Sequence, residues 1–256
     1  VVGKGMSYEY ILEVLSQTFA SSRPRILFVD IDGVLTVSRR ERLLDLEAVQ
    51  LLQQIYSLGV TVVLASGNSY PVVRGLSYYL GFRDGLIAEN GCIIEVRGER
   101  LDLARTSGMQ AAEELVKKFG LKFPRLVSYY RYDIPLEGYE GKDLAEIKKF
   151  VSDRYKDLEL LFSGVALHVH PKECSKGRAA KVVAEMLGLS LDDAIAIGDG
   201  ETDVDMLRSC RLGVTVGDAE EEAKKAAKLV VRAPASTATK EFFRALMYFL
   251  LSAGRS

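Results

Sequence analysis

The sequence predicts an α/β fold built on a parallel sheet, with a smaller domain inserted into it. Short apolar, strand-like runs alternate with helix-like periodic runs over most of the 256 residues. Between Gly85 and about His170 that rhythm changes. The strongest apolar runs also end on acidic or small polar residues, at the edge where ligands gather in open parallel sheets.

The elements follow in order. Residues 7–20 carry an amphipathic pattern (Tyr8, Ile11, Leu12, Leu15, Phe19) and read as a helix packing on the core. Ile26-Leu27-Phe28-Val29 centres a buried strand over 25–30. Leu43, Leu44, Leu46, Val49, Leu51, Leu52 and Ile55 supply the apolar face of a helix, and a second strand follows at 60–65. Pro71 opens the next helix, since a first turn tolerates proline. The middle reads as strand (93–96), helix (Met109 to Phe119), a further strand and helix (Lys142 to Tyr155). It closes on a hairpin of Leu158 to Phe162 and Val165 to His170 about Ser163-Gly164. A helix at 177–187, a strand at 193–198, a short helix at 202–209, a strand at 212–216 and a last helix at 237–252 complete the chain. The expected organisation is an N-terminal helical extension (1–24), a discontinuous core (25–84 and 171–256) and an inserted domain (85–170).

Composition narrows the function. Lys and Arg number 34 against 35 Asp and Glu, so there is no electrostatic footprint for nucleic acid. The apolar tract Phe242 to Leu251 is too short to span a bilayer and is broken by Arg244. Glu9 and Glu13 interrupt what would be the apolar region of a signal peptide. Cys92, Cys174 and Cys210 are far apart and form no CxxC pair, so neither a disulfide framework nor a zinc site is expected. A reduced, cytoplasmic setting fits, without nucleic-acid or membrane partners.

Four stretches carry chemistry. Asp30-Ile31-Asp32-Gly33-Val34-Leu35-Thr36 places two carboxylates on the same side of a strand end. Such a pair repels itself unless a metal or a proton relieves it; taken alone, an acidic turn is an equal reading. Ser66-Gly67-Asn68 offers a hydroxyl, a flexible glycine and an amide for a phosphate, or simply a turn. Lys176-Gly177 enters a helix where a positive charge opposes the macrodipole, a conflict that a bound anion would remove. In Gly198-Asp199-Gly200-Glu201-Thr202-Asp203, carboxylates follow a fully apolar strand, an oxygen-ligand set suited to Mg²⁺. His168 and His170 face the same way on one strand, but no third ligand for a two-histidine metal site lies nearby. Arg131 and Tyr132 are candidates for gripping a substrate carboxylate.

In order and spacing these stretches resemble the four motifs of the haloacid dehalogenase superfamily of phosphotransferases: Asp30-x-Asp32-Gly33-x-Leu35-Thr36, then Ser66, Lys176, and Gly198-Asp199-x-x-x-Asp203. The insert looks like that superfamily's type IIB cap. Ser66 to Val73 and Glu89-Asn90-Gly91 look most like archaeal phosphoglycolate phosphatases. Val34 stands where many relatives have threonine, and Gly200 and Thr202 where they have serine and asparagine.

The resemblance implies a Rossmann-like parallel-sheet core with an inserted α+β cap, and a Mg²⁺-dependent phosphomonoester hydrolase. Asp30 would attack phosphorus to form an aspartyl-phosphate. Asp32 would protonate the leaving alkoxide and then deprotonate the hydrolytic water. Asp30, the backbone carbonyl of Asp32 and Asp199 would hold the metal, with Asp203 directly or through water. Ser66, the N–H groups near Gly67, Asn68 and Lys176 would bind the phosphoryl group. Each close pair of like charges costs about 4 kcal/mol at ~4 Å with an effective dielectric near ~20, which is why Mg²⁺ and Lys176 are needed. The implied substrate is a small phosphorylated metabolite, foremost 2-phosphoglycolate, and the implied assembly a monomer or homodimer. A sugar-phosphate phosphatase, a phosphomutase and a non-catalytic phosphometabolite-binding protein are the alternatives. Dinucleotide and P-loop enzymes are disfavoured, because neither glycine-rich signature is present.

Overall fold

The computed structural model describes residues 8–253. The first helix, α1 (Tyr8–Thr18), precedes strand β1 (Ile26–Val29), α2 (Leu46–Ser57), β2 (Thr61–Ala65), α3 (Tyr70–Leu80) and β3 (Gly85–Ala88). A hairpin, β4 (Ile93–Val96) and β5 (Glu99–Asp102), comes next. Then follow α4 (Met109–Phe119), β6 (Ile134–Leu136), α5 (Leu144–Arg154), β7 (Leu158–Phe162) and β8 (Leu167–Pro171). The chain ends with α6 (Lys176–Met186), β9 (Ala194–Ile197), α7 (Val204–Ser209), β10 (Leu212–Val216), α8 (Glu221–Ala226), β11 (Leu229–Val231) and α9 (Ala235–Ala253). The strands form an eight-stranded sheet in the order β11-β10-β9-β1-β2-β3-β4-β5 and a three-stranded sheet in the order β6-β8-β7.

In the large sheet every pair from β11 to β3 is parallel, and β4 and β5 are antiparallel additions. β1 sits between β2 and β9, so successive connections leave it in opposite directions. That is the switch point where an open α/β sheet leaves a crevice beyond its strand ends. β1, β3, β9 and β10 are buried throughout, as strands covered by helices on both faces must be.

Two boundaries differ from the expectation. Residues 85–102 were expected in the inserted domain, but β3, β4 and β5 belong to the large sheet. Leu86 and Ile87 pair with β2, and Arg97-Gly98, both at positive φ, turn the chain tightly into the antiparallel hairpin. The start of α2 also shifts. Asp45 accepts from the backbone N–H groups of Glu47 and Ala48 and so caps the helix, leaving Leu43 and Leu46 exposed.

The small sheet is two-faced. Ile134, Leu136, Leu158, Val169 and their neighbours pack with Ala111, Leu115, Ile147 and Val151 of α4 and α5 in a second hydrophobic cluster. Alternation turns Pro135 and His168 to the opposite face, which borders a cleft shared with the strand ends of the large sheet. α1 buries Ile11 and Leu15 in the main core beside α9, as its amphipathic pattern predicted. Among the described residues no helix is long and apolar enough to cross a membrane.

Candidate active site

The sheet's switch point brings the four acidic and polar stretches together. Asp30, Asp32, Ser66, Asn68, Lys176, Asp199 and Asp203 line one cleft of about 530 Å³ between the large sheet and the small one. Gly33 makes this closure possible. Its φ is +78°, and a Cβ there would lie 2.0 Å from an oxygen of Asp199. The Thr36 hydroxyl pins the same turn, accepting from the Gly33 N–H at 2.8 Å and donating to the Ser38 carbonyl at 2.8 Å.

Lys176 is the electrostatic centre. Its Nζ donates to Asp30 Oδ1 and to Asp203 Oδ1, both at 2.6 Å, and its side chain is 2% exposed. Burial alone would lower its pKa, but Asp203 and Asp30 outweigh that and hold it above the usual lysine value. Asp203 also accepts from the N–H groups of Asp199 and Gly200 through its second oxygen, which fixes the loop after β9. Asp30 titrates well above a normal carboxylate; burial is the main cause, opposed by Lys176 and reinforced by Asp203, Asp199 and Asp32. Asp199 is pushed up to about 7 by burial, with Arg39 opposing and Asp203 adding to the shift.

Asn68 orders the other wall. Its amide donates to Asp32 Oδ2 at 2.7 Å and to Ser66 Oγ at 3.0 Å, and its backbone N–H donates to Ser66 Oγ at 3.1 Å. One amide therefore ties the second carboxylate of the first motif to the hydroxyl after β2.

Asp30, Asp199 and Asp203 each present a carboxylate oxygen, and these atoms lie within 4.8 Å of one another. Three buried carboxylates meet two cations, Lys176 and an Arg39 shared with Glu220, and two of the three are held above their normal pKa. An all-oxygen set with unrelieved negative charge fits a hard divalent cation such as Mg²⁺.

Sequence reasoning missed Arg39. Its guanidinium bonds Asp199 Oδ2 at 2.7 Å, the Asp199 carbonyl at 2.5 Å and Glu220 Oε1 at 2.6 Å. No local signal marks it within the basic run Arg39-Arg40-Glu41-Arg42. Arg131 and Tyr132 were expected at the substrate and are not there. Arg131 pairs with Asp102 at 3.0 Å and the Tyr132 hydroxyl donates to Asp102 at 2.9 Å, outside the cleft. The arginines that do line the cleft are Arg42 and Arg125.

His168 and His170 converge on Asp133. His168 Nδ1 lies 2.8 Å from Asp133 Oδ2 and His170 Nδ1 lies 3.1 Å from Oδ1, while Asn90 donates to Oδ2 at 2.9 Å. Burial opposes charge on His170, but Asp133 outweighs it and lifts its pKa to about 9. Asp133 is lowered despite complete burial, through both histidines. Beside it the Glu89 carboxylate accepts from the backbone N–H groups of Arg131, Tyr132 and Asp133. Glu89, Asn90 and Gly91 all have positive φ, and a Cβ on Gly91 would lie 2.2 Å from the Ser175 carbonyl. This turn meets the stretch before β6 through Glu89 and Asn90 and the start of α6 through Gly91.

Comparison with known proteins accords with this geometry. The chain matches the profile of the haloacid dehalogenase-like hydrolases over residues 27–134 and 136–240. It is 34% identical over 227 residues to a phosphoglycolate phosphatase of Aeropyrum pernix, covering 87% of this chain and 93% of that one. A phosphoglycolate phosphatase of Metallosphaera sedula is 33% identical, with 87% of this chain and 99% of that one covered. Among solved structures, a Thermoplasma acidophilum protein superposes with a TM-score of 0.78 at 23% identity, over 88% of this chain and 98% of that one.

Proposed function

The chain belongs to the haloacid dehalogenase-like hydrolases and is a phosphatase, and from that premise we propose that it hydrolyses 2-phosphoglycolate to glycolate and phosphate through Asp30. The observation that carries the site assignment is the bridge Asp30–Lys176–Asp203, with both bonds at 2.6 Å at the end of β1. The substrate rests on the two relatives named phosphoglycolate phosphatase.

Asp30 is the nucleophile: one carboxylate oxygen attacks phosphorus while the ester oxygen departs as an alkoxide. Lys176 holds Asp30 in a single orientation, so the attacking carboxylate needs little reorganisation. Asp32, anchored by Asn68, gives its proton to the departing alkoxide. It then takes a proton from the water that attacks the aspartyl-phosphate, releasing phosphate and regenerating Asp30. Ser66 and the backbone N–H groups beside Gly67 hold phosphoryl oxygens as charge develops on them. Mg²⁺, held by Asp30, Asp199 and Asp203 with the Asp32 carbonyl, would neutralise charge between nucleophile and phosphate. Residues from about 103 to 171 form the cap, and the Glu89-Asn90-Gly91 turn is its joint.

The test is the initial rate of phosphate release with Mg²⁺ from 2-phosphoglycolate and several sugar phosphates, beside Asp30→Asn. Metal-dependent turnover strongest on 2-phosphoglycolate, and abolished in the variant, is the expected result. Turnover that survives Asp30→Asn overturns the mechanism. A cleft of about 530 Å³ is roomy for a two-carbon acid, which favours sugar phosphates as the second reading. Preference for those sugars would keep the mechanism and replace the substrate.

A further inference from the structure

The cations of the cleft are unevenly used. At the phosphate end Lys176 is bonded to two carboxylates. Arg42 and Arg125 line the same cleft, and neither makes an ion pair or a hydrogen bond among the described residues. They come from opposite walls: Arg42 lies in the loop between β1 and α2, Arg125 in the cap between α4 and β6. A third group points the same way. Ser69 is fully buried and lines the cleft, yet its hydroxyl has no partner and does not cap α3, the helix it precedes. A buried hydroxyl left unbonded is costly, and a ligand oxygen within the cleft would satisfy it. Tyr130 lines the same cleft. Glu137 is the acidic side chain on the cap wall here.

We propose that Arg42 and Arg125, with the Ser69 hydroxyl, form a second anion subsite that selects phosphate esters carrying a carboxylate on the leaving group. This rests on the phosphatase reading above and deepens it: the cleft sorts substrates by a second negative charge and not by small size. Two guanidinium forks on facing walls match the planar geometry of a carboxylate. They also require the cap to be seated, since each wall alone supplies one cation. The room in the cleft extends the class beyond two carbons, so 3-phosphoglycerate should be turned over better than glycerol 3-phosphate.

The experiment compares kcat/KM for 2-phosphoglycolate with that for 2-hydroxyethyl phosphate, which replaces the carboxylate by a neutral group. The wild-type ratio should exceed about 100, and Arg42→Ala and Arg125→Ala should each lower it about 10- to 100-fold, chiefly through KM. Lysine at either position should restore part of the ratio. Glu137→Gln should raise it, because removing a negative charge strengthens the field on the carboxylate. Arg131→Ala, whose side chain pairs with Asp102 outside the cleft, is the control and should leave the ratio unchanged. If both arginine variants keep the wild-type ratio, or lose activity equally on both esters, the subsite is overturned while the phosphoglycolate assignment stands. A wild-type enzyme that hydrolyses both esters equally well overturns the assignment and the subsite together.

Discussion

The two buried acidic centres, around Asp30 and around Asp133, are electrostatic opposites. Asp30 and Asp133 are each deeply buried, yet burial wins at Asp30 and loses at Asp133. Asp133 is met by two histidines and an amide, and the buried Glu89 carboxylate beside it accepts from three backbone N–H groups. Asp30 shares Lys176 with Asp203 and feels Asp199 and Asp32 as well. The balanced centre has no further charge to take up, so it serves architecture by holding the cap to the Glu89-Asn90-Gly91 turn. The unbalanced one keeps a deficit of positive charge, which a cation and a phosphoryl group can use.

Removing the cation from the unbalanced centre should have the largest effect. Lys176→Met leaves Asp30 and Asp203 buried without their partner, a loss of about 3–5 kcal/mol in stability as well as of activity. If the deficit is the cause, adding Asp30→Asn to Lys176→Met should recover part of the stability without recovering activity. A double-mutant cycle by denaturant unfolding measures this. Strict additivity would mean that the two side chains do not share one charge balance.

At the balanced centre the ranking reverses. Asp133→Asn removes the negative charge between two histidines and should cost about 1–3 kcal/mol, or several degrees in Tm. The phosphatase chemistry should survive, with kcat reduced through a poorly seated cap. A Tm unchanged from wild type would break the distinction between the two centres.

The last test is pH. His170 is raised from about 6.5 unfolded to about 9 folded, so its contribution to stability is complete below pH ~6.5 and is lost as pH rises through ~9. Asp133 is lowered, so its contribution is present above its unfolded pKa near ~3.9 and lost on further acidification. Tm measured across pH should therefore decline between pH ~6.5 and ~9, and His170→Gln should remove that decline. A decline that persists in the variant would assign it to other groups.

Much of the core was readable in the residues themselves. Ile26 to Val29, Thr61 to Ala65 and Ala194 to Ile197 are apolar runs whose period and length admit little but buried strands. Each motif residue stands beside one of these runs or at a helix start, so its place at the sheet edge follows from its place in the chain. The boundary at residue 85 was misplaced because short strands such as β3 and β5 carry no mark of which sheet they join. Pairing partners decide that, and they lie elsewhere in the sequence.

Which arginines line the cleft was not readable at all. Arg131 and Arg125 are equally basic and six positions apart, yet one turns to Asp102 and the other lines the cleft. Arg39 meets Asp199 across 160 positions, and Asn90 meets Asp133 across 43. The sequence alone determined the parallel-sheet core and the edge where the chemistry gathers, because periodicity and strand-end position are local properties. Only the tertiary structure decided which charges are shared, which are balanced and which are left over for a ligand. Those outcomes depend on distances of about 3 Å between segments that the chain leaves far apart, and Coulomb and hydrogen-bond energies fall off over that scale.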